Sequence, residues 1–273
     1  MPLLSTSEII KKYGLNAKKS LGQNFILDKN FTDKIARAAG DLTNYEVLEV
    51  GSGPGSLTRS ILDAGAKKLI SIEMDERCIA ALSELKEFYK ERFEIIAGDA
   101  LKIDEREIFS NKNKFKIIAN LPYNIGTVLI FKWLKIAPQI ASMHLMLQKE
   151  VVQRITAKTN DNHYGRLAVM VNFLCHTKML FTVNKSVFTP PPKVTSAIVE
   201  IIPREKPLFD VEFEKLEKVV ASAFNQRRKM LKSSLKNIFE NPEEVLLSCK
   251  IRPDLRPENL KIEEFCKLAQ QLK

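Results

Sequence analysis

The chain has 273 residues, 45% hydrophobic and 28% charged, the balance of a folded globular protein and not of a disordered or collagenous one. No apolar run approaches the roughly 18–20 residues of a membrane helix, and MPLLSTSEIIKKYG lacks the charged start and long apolar stretch of a signal peptide. The net charge of +10, from 43 Lys and Arg against 33 Asp and Glu, is spread along the chain and points to a polyanionic partner, most simply nucleic acid, unless the protein is merely basic.

In chain order, a repeating pattern begins near residue 45. YEVLEV (45–50) predicts a strand, GSGPGS (51–56) a tight loop, and LTRSILDAGA (57–66) a helix closing at Gly65. KLISIE (68–73) predicts a second strand, and Asp75 caps a helix over about 76–90. FEIIAGD (93–99), KFKIIAN (114–120) and MHLMLQ (143–148) predict three more strands, with helices over TVLIFKWL (127–134) and KEVVQRITA (149–157). Strands alternating with helices of this length imply a parallel sheet covered on both faces, and near-continuous apolar strands fit that burial.

The rhythm then changes. LAVMVNFLCHTKMLFTV (167–183) is β-rich in part, and VTSAIVEII (194–202) is another strand. Joined by the loop with Pro190, Pro191 and Pro192, the two predict a hairpin-type edge on the sheet. After Pro203 and Pro207 the chain turns helical, with Phe213, Leu216, Val220 and Phe224 on one stripe. The expected division is an α/β domain over 1–205 and a small all-helical domain over 206–273. Cys78, Cys175, Cys249 and Cys266 form no CxxC pair, and His144, His163 and His176 have no metal spacing. Reduced thiols, a cytoplasmic location and no metal are the expectation.

Three strand ends concentrate chemistry. EVGSGPGS follows a strand and opens a helix, so Gly51, Gly53 and Gly55 let the backbone turn sharply and approach a ligand. The dinucleotide pattern wants glycine where Ser56 stands, which suits an uncharged or zwitterionic ligand better than a pyrophosphate. Glu73 ends the second strand, placed to accept ribose hydroxyls, and Asp99 ends the third, placed to accept from an adenine amine. Each acid alone reads equally well as a helix cap or a surface charge. Together with the loop they point to adenosine without a required pyrophosphate, hence S-adenosylmethionine.

IIANLPYNIG (117–126) closes the fourth strand at the same crevice. Pro122 reads first as a strand stop. It also stiffens Leu121 and its own carbonyl. The exocyclic amine of adenine is a poor nucleophile because its lone pair is delocalised. The Asn120 side-chain oxygen and a carbonyl from Leu121 or Pro122 can hold both its N–H groups and aim the lone pair at a methyl donor. Tyr123 offers a stacking face for a flipped base.

NLPY is similar to the Asn/Asp-Pro-Pro-Tyr motif of adenine-N6 methyltransferases. With KKSLGQNFI (18–26), EVGSGPGSLT (49–58), IEMD (72–75), AGDAL (97–101), LMLQKEV (145–151), YGRLAV (164–169), VFTPPPKVTSA (187–197) and FNQRRKMLKSSL (224–235), the chain resembles the ribosomal RNA adenine-N6 dimethyltransferases, in particular the bacterial small-subunit (16S), kasugamycin-sensitivity branch. The resemblance covers residues 18–236. It implies a Rossmann-like methyltransferase domain with a mostly parallel seven-stranded sheet and an antiparallel edge, followed by the helical domain. It implies dimethylation at N6 of two adjacent adenines near the 3′ end of 16S ribosomal RNA, a role in small-subunit biogenesis, and a monomeric enzyme with no membrane partner.

By the same resemblance Asn24, Ile26, Gly51, Gly53, Glu73, Met74, Asp99, Ala100 and Asn120 contact S-adenosylmethionine. The family usually has Leu at Ile26, a harmless exchange if that contact runs through the backbone. Phe188 becomes a second aromatic against the target base, although by itself it reads as a core anchor. SLGQNF alone reads as a loop before a helix capped by Asp28, and only the resemblance makes Asn24 a ligand residue. Arg228, Lys232 and Lys236 lie at helical spacing and by default form a solvated basic face. Net charge and substrate class turn them, with Arg227 and Lys229, toward RNA phosphates, and Lys18, Lys19, Lys185 and Lys193 extend that surface. The rivals are a large-subunit RNA methyltransferase, a non-catalytic assembly factor on the same fold, and a nicotinamide dehydrogenase, the last disfavoured by Ser56.

Overall fold

The computed structural model describes residues 3–17, 23–109 and 113–272. Lys18 and Lys19 therefore lie outside the described residues. Helix α1 (Thr6–Lys12) starts with a capping box between Ser5 and Glu8. Strand β1 (Phe25–Ile26) precedes α2 (Lys29–Ala38), which Asp28 caps by accepting from Phe31 N–H. Then come β2 (Glu46–Val50), α3 (Ser56–Asp63), β3 (Lys68–Glu73), α4 (Glu76–Tyr89), β4 (Phe93–Ala97), α5 (Glu105–Ile108), β5 (Phe115–Asn120), α6 (Gly126–Leu134), β6 (Ile140–Gln148) and α7 (Lys149–Thr156). The remainder is α8 (Arg166–Leu174), β7 (Cys175–Val183), β8 (Phe188–Thr189), β9 (Ser196–Pro203), α9 (Phe213–Asn225), α10 (Leu231–Ser234), α11 (Pro242–Ser248) and α12 (Ile262–Gln270).

Seven strands form one sheet in the order β4-β3-β2-β5-β6-β9-β7. β2 pairs in parallel with β3 and β5, β3 with β4, and β5 with β6, while β9 runs antiparallel to β6. The register sets Val50 beside Ile72, Glu73 beside Ala97 and Asn120 beside Met146, so the carboxyl ends of the central strands share one edge. α4 buries Cys78, Ala81, Leu82 and Leu85, a spacing that makes one apolar stripe. Leu82 and Leu85 join Ile35, Ile61, Leu69, Phe93, Ile118 and Met146 in one core cluster. Each large apolar side chain of this kind contributes about 1.5–3 kcal/mol on burial.

The structure departs from the sequence reading in four places. Residues 167–174 are helix, not strand: Leu167 to Val171 and Phe173 are all buried. A helix apolar on every side has no period that distinguishes it from a buried strand. The third strand stops at Ala97, so Asp99 sits two residues into the following loop. The basic segment is not one helix. α9 ends at Asn225, Met230 is extended, and Leu231 and Lys232 donate their N–H groups to Leu255 and Pro253 carbonyls. Arg228, Lys232 and Lys236 therefore do not share a helical face.

The fourth departure concerns the division of the chain. It separates into Met1–Val152 with Lys178–Pro203, and Gln153–Thr177 with Arg204–Lys273. The stretch 153–177 joins the C-terminal helices because its side chains pack there. The Tyr164 ring meets Phe224 edge-on at 6.2 Å, Phe224 lies 5.7 Å from Phe265, and the Tyr164 hydroxyl donates to the Leu260 carbonyl at 3.0 Å.

Candidate active site

The loop after β2 is built on glycine. Gly55 has φ +84°, and a Cβ there would lie 2.4 Å from Leu85 Cδ1 on α4. Gly53 has φ +55°, and a Cβ would press on the Phe25 ring at 3.2 Å. Any side chain at either position forces the backbone out of the left-handed region or the neighbours apart.

Glu73 organises this loop from the end of β3. Its Oε2 accepts from Gly53 N–H and its Oε1 from Met74 and Asp75 N–H, each at 2.9 Å. The residue is 5% exposed. Three of its roughly four acceptor sites are used, which leaves room for one ligand hydroxyl without displacing an amide. Asp75 accepts from Gln23 Nε2 at 3.0 Å, and the Arg77 guanidinium beside it holds its carboxyl down at about 2. Asp99 Oδ1 accepts from Leu101 N–H at 3.0 Å, which fixes the carboxylate in the loop after β4.

At the end of β5, Asn120 Nδ2 donates to the Asn24 carbonyl at 3.4 Å, which leaves its Oδ1 as an acceptor. Asn24 is brought there by the β1–β8 pairing, Phe25 opposite Thr189 and Ile26 opposite Phe188. Leu121 N–H continues the ladder to the Met146 carbonyl, and the Pro122 carbonyl accepts from Ile125 and Gly126 N–H. That carbonyl is engaged at the start of helix α6, so of the two alternatives the sequence offered, Leu121 and Pro122, it is the Leu121 carbonyl that is the better candidate acceptor. Tyr123 is half-buried, and its hydroxyl shares a 2.7 Å hydrogen bond with Ser196. Burial pushes the phenol up, so it stays neutral.

These groups line one cleft that, with its open mouth included, holds about 930 Å³ of empty space. Asn24, Ile26, Gly51, Gly53, Glu73, Met74, Asp99, Ala100 and Asn120 all border it, as do Leu121, Pro122 and Tyr123. Phe188 does not. It is 2% exposed and shares one core cluster with Ile26, the position of a core anchor for β1. Arg227, Arg228, Lys229, Lys232 and Lys236 belong to the second unit, Lys185 and Lys193 to the first. Arg228, Lys229 and Lys236 are exposed, whereas Arg227 pairs with Glu258 at 3.0 Å and donates to the Asn162 carbonyl. Lys185 donates to the Lys193 carbonyl.

Gln23, Phe25, Pro54 and Ile125 also border the cleft and were not foreseen; neither was Glu49. Its signal was present: a carboxylate inside the apolar strand VLEV. Glu49 is 1% exposed and accepts from the Thr58 hydroxyl at 2.7 Å. Burial raises its carboxyl from 4.5 to about 7, against the lowering effect of the Thr58 and Ser52 hydroxyls and helped by the charge of Glu73. Because the folded state binds this proton more tightly, the stability it contributes is complete below pH 4.5 and lost as pH rises through 7. Glu49→Gln is expected to flatten the Tm-against-pH profile between about pH 4.5 and 7, with a difference of at most about 3 kcal/mol. Parallel profiles for variant and wild type would contradict this.

The lining includes three carboxylates, Glu49, Glu73 and Asp99, and among the described residues no Lys or Arg. That set of acceptors fits a ligand with cationic groups and an adenosine, as S-adenosylmethionine has, and opposes a pyrophosphate.

The sequence pattern of the ribosomal RNA adenine dimethylase family matches residues 14–273. Two bacterial proteins named ribosomal RNA small subunit methyltransferase A are similar to the chain. That of Paramagnetospirillum magneticum is 49% identical over 265 residues, covering 97% of this chain and 93% of its own length. That of Allorhizobium ampelinum is 50% identical over 268 residues, covering 97% and 96%. Among solved structures, a dimethyladenosine transferase from Plasmodium falciparum is 31% identical, with a TM-score of 0.76 over 89% of this chain and 95% of that one. With a glycine loop, strand-end acids and NLPY converging on one cleft, and this agreement along nearly the whole chain, the protein belongs to the ribosomal RNA adenine dimethylase family.

Proposed function

We propose that the protein transfers methyl groups from S-adenosylmethionine to N6 of two adjacent adenines in the 3′-terminal hairpin of 16S ribosomal RNA, acting on the small subunit as a cytoplasmic monomer. The observation that carries the reading is the Asn120 side chain, whose amide is turned by the Asn24 carbonyl so that Oδ1 is left to accept. The similarity to proteins named for the small subunit supports the choice of RNA.

S-adenosylmethionine supplies, when bound, an electrophilic methyl on its sulfonium. Of the cleft's residues, Glu73 would accept from a ribose hydroxyl, Asp99 and Ala100 would face the adenine, and Met74, 55% exposed, would offer it an apolar shelf. Asn120 Oδ1 and the Leu121 carbonyl accept the two N–H groups of the target amine. This favours a pyramidal nitrogen and directs its lone pair, worth several kcal/mol of barrier. Tyr123, held by Ser196, stacks on the flipped base. The amine becomes acidic once methylated and loses its proton to solvent, so no strong base is needed.

Incubation with radiolabelled S-adenosylmethionine and unmethylated small subunits, large-subunit RNA or DNA tests the reading. Label is expected in small-subunit RNA, at two adjacent adenines; its absence there overturns the proposal. For the RNA surface, replacing Arg228, Lys229 and Lys236 with Ala is expected to weaken subunit binding. The slope of log K against log salt should become shallower by roughly 1 for each phosphate that these side chains neutralise. An unaltered slope removes those residues from the interface. Arg227 is left out because its replacement also breaks the pair with Glu258.

A further inference from the structure

The loop after β4 carries Asp99 and Ala100 into the cleft and runs on to Asp104, the cap of α5. Two of its carbonyls are held from outside. Lys132, on α6, donates from Nζ to the Ala100 carbonyl at 2.7 Å and to the Ile103 carbonyl. Its remaining donor reaches the Glu105 carboxylate at 2.9 Å. An ammonium has three N–H groups, and all three are spent here. Glu105 is 1% exposed and also accepts from Trp133 Nε1 at 2.7 Å, so both partners of the clamp on α6 are fixed.

α6 is the helix that leaves NLPY. The Pro122 carbonyl accepts from Ile125 and Gly126 N–H at its start, and a Cβ at Gly126 would lie 2.6 Å from Leu147 Cδ2, so the helix start is pressed against β6. One side chain thus ties the loop that carries Asp99 and Ala100 to the helix that follows the acceptor motif. We propose that Lys132 is a positioning residue for the cofactor: through the Ala100 and Ile103 carbonyls it sets where Asp99 and Ala100 stand, and hence how tightly the adenine end of S-adenosylmethionine is held. This rests on the reading of Asp99 and Ala100 as that end.

A purely structural role makes a different prediction. If Lys132 only neutralises buried Glu105, removing both charges restores everything. If it positions the loop, removing both charges restores the fold but not the cofactor affinity, because Gln at 105 keeps an acceptor for Trp133 while the two loop carbonyls remain unheld. Lys132→Met is expected to lower Tm by roughly 5–10 °C. The same variant is expected to raise the S-adenosylmethionine Kd, read by calorimetry, and the KM about tenfold, with kcat at saturating cofactor within about twofold.

Lys132→Met with Glu105→Gln is expected to recover most of the Tm and none of the affinity. Recovery of both, or an unchanged Kd in folded Lys132→Met, overturns the proposal. If the single variant does not fold, the double variant decides. Asp99→Ala is measured alongside. Unchanged Kd in that variant withdraws the adenine reading and the proposal with it. A weakened Asp99→Ala beside a double variant of wild-type affinity removes Lys132 alone.

Discussion

Asn120→Ala is expected to reduce kcat by about 10³-fold while S-adenosylmethionine still binds, its Kd raised by less than about tenfold. Of the two acceptors proposed for the target amine, one is a backbone carbonyl that substitution cannot remove. The other is Asn120 Oδ1, and its direction depends on the hydrogen bond from Nδ2 to the Asn24 carbonyl. Alanine deletes both the acceptor and that hydrogen bond. The amine then keeps its planar, delocalised lone pair, and the deficit falls on the transition state more than on cofactor binding. The cofactor keeps Glu73, Asp99 and the glycine loop, none of which leans on Asn120 among the hydrogen bonds of the described residues. Single-turnover transfer with small subunits, alongside calorimetric titration of cofactor, separates the two effects. Unchanged turnover would remove Asn120 from the chemistry. Equal reductions in turnover and affinity would make it a cofactor residue.

Glu73→Ala has the second large effect, and it falls on binding. Three backbone N–H groups, from Gly53, Met74 and Asp75, lose their acceptor at once in a site where the residue is 5% exposed. A buried donor left unpaired costs about 1–3 kcal/mol. Water entering from the cleft offsets part of that, so the net destabilisation is about 3–6 kcal/mol. The loops after β2 and β3 then separate, and with them the two walls of the cleft. S-adenosylmethionine Kd is expected to rise by more than about 10²-fold and Tm to fall by about 10 °C. Glu73→Gln, which keeps one acceptor oxygen, should fall between. A Glu73→Ala protein that binds cofactor normally would show that the carboxylate organises neither loop nor ligand.

Much of the first unit was legible because its signals are local. Strand–loop–helix alternation follows from apolar runs and glycine turns a few residues long. Glu73 and Asn120 end their strands as the pattern demands, and Asp99 follows its strand by two residues. The charge of the cleft was legible only in part. Ser56 argued against a pyrophosphate, but the absence of Lys and Arg among the described lining residues depends on which side chains the fold gathers.

What stayed hidden is what distant segments do to one another. The two-residue strand β1 carries no pattern of its own, yet its pairing with β8 sets Asn24 against Asn120, 96 residues away. The same pairing buries Phe188, which the sequence left open between core anchor and stacking face. The helix expected through NQRRKMLKSSLK is interrupted after Asn225, and Leu231 and Lys232 donate to the Leu255 and Pro253 carbonyls instead of within a helical turn.

By itself the sequence determined the α/β alternation, the crevice at the strand ends and the adenosine-like character of its groups, because period, turn chemistry and strand-end position are properties of neighbours. Only the tertiary structure decided which atoms of those groups are free to act. Glu73 is mostly spent on backbone amides, Pro122 on α6, and Lys132 on a loop 32 residues earlier at Ala100. A donor or acceptor has its partners chosen by proximity in space, and proximity across tens of residues is set by packing, which no local pattern encodes.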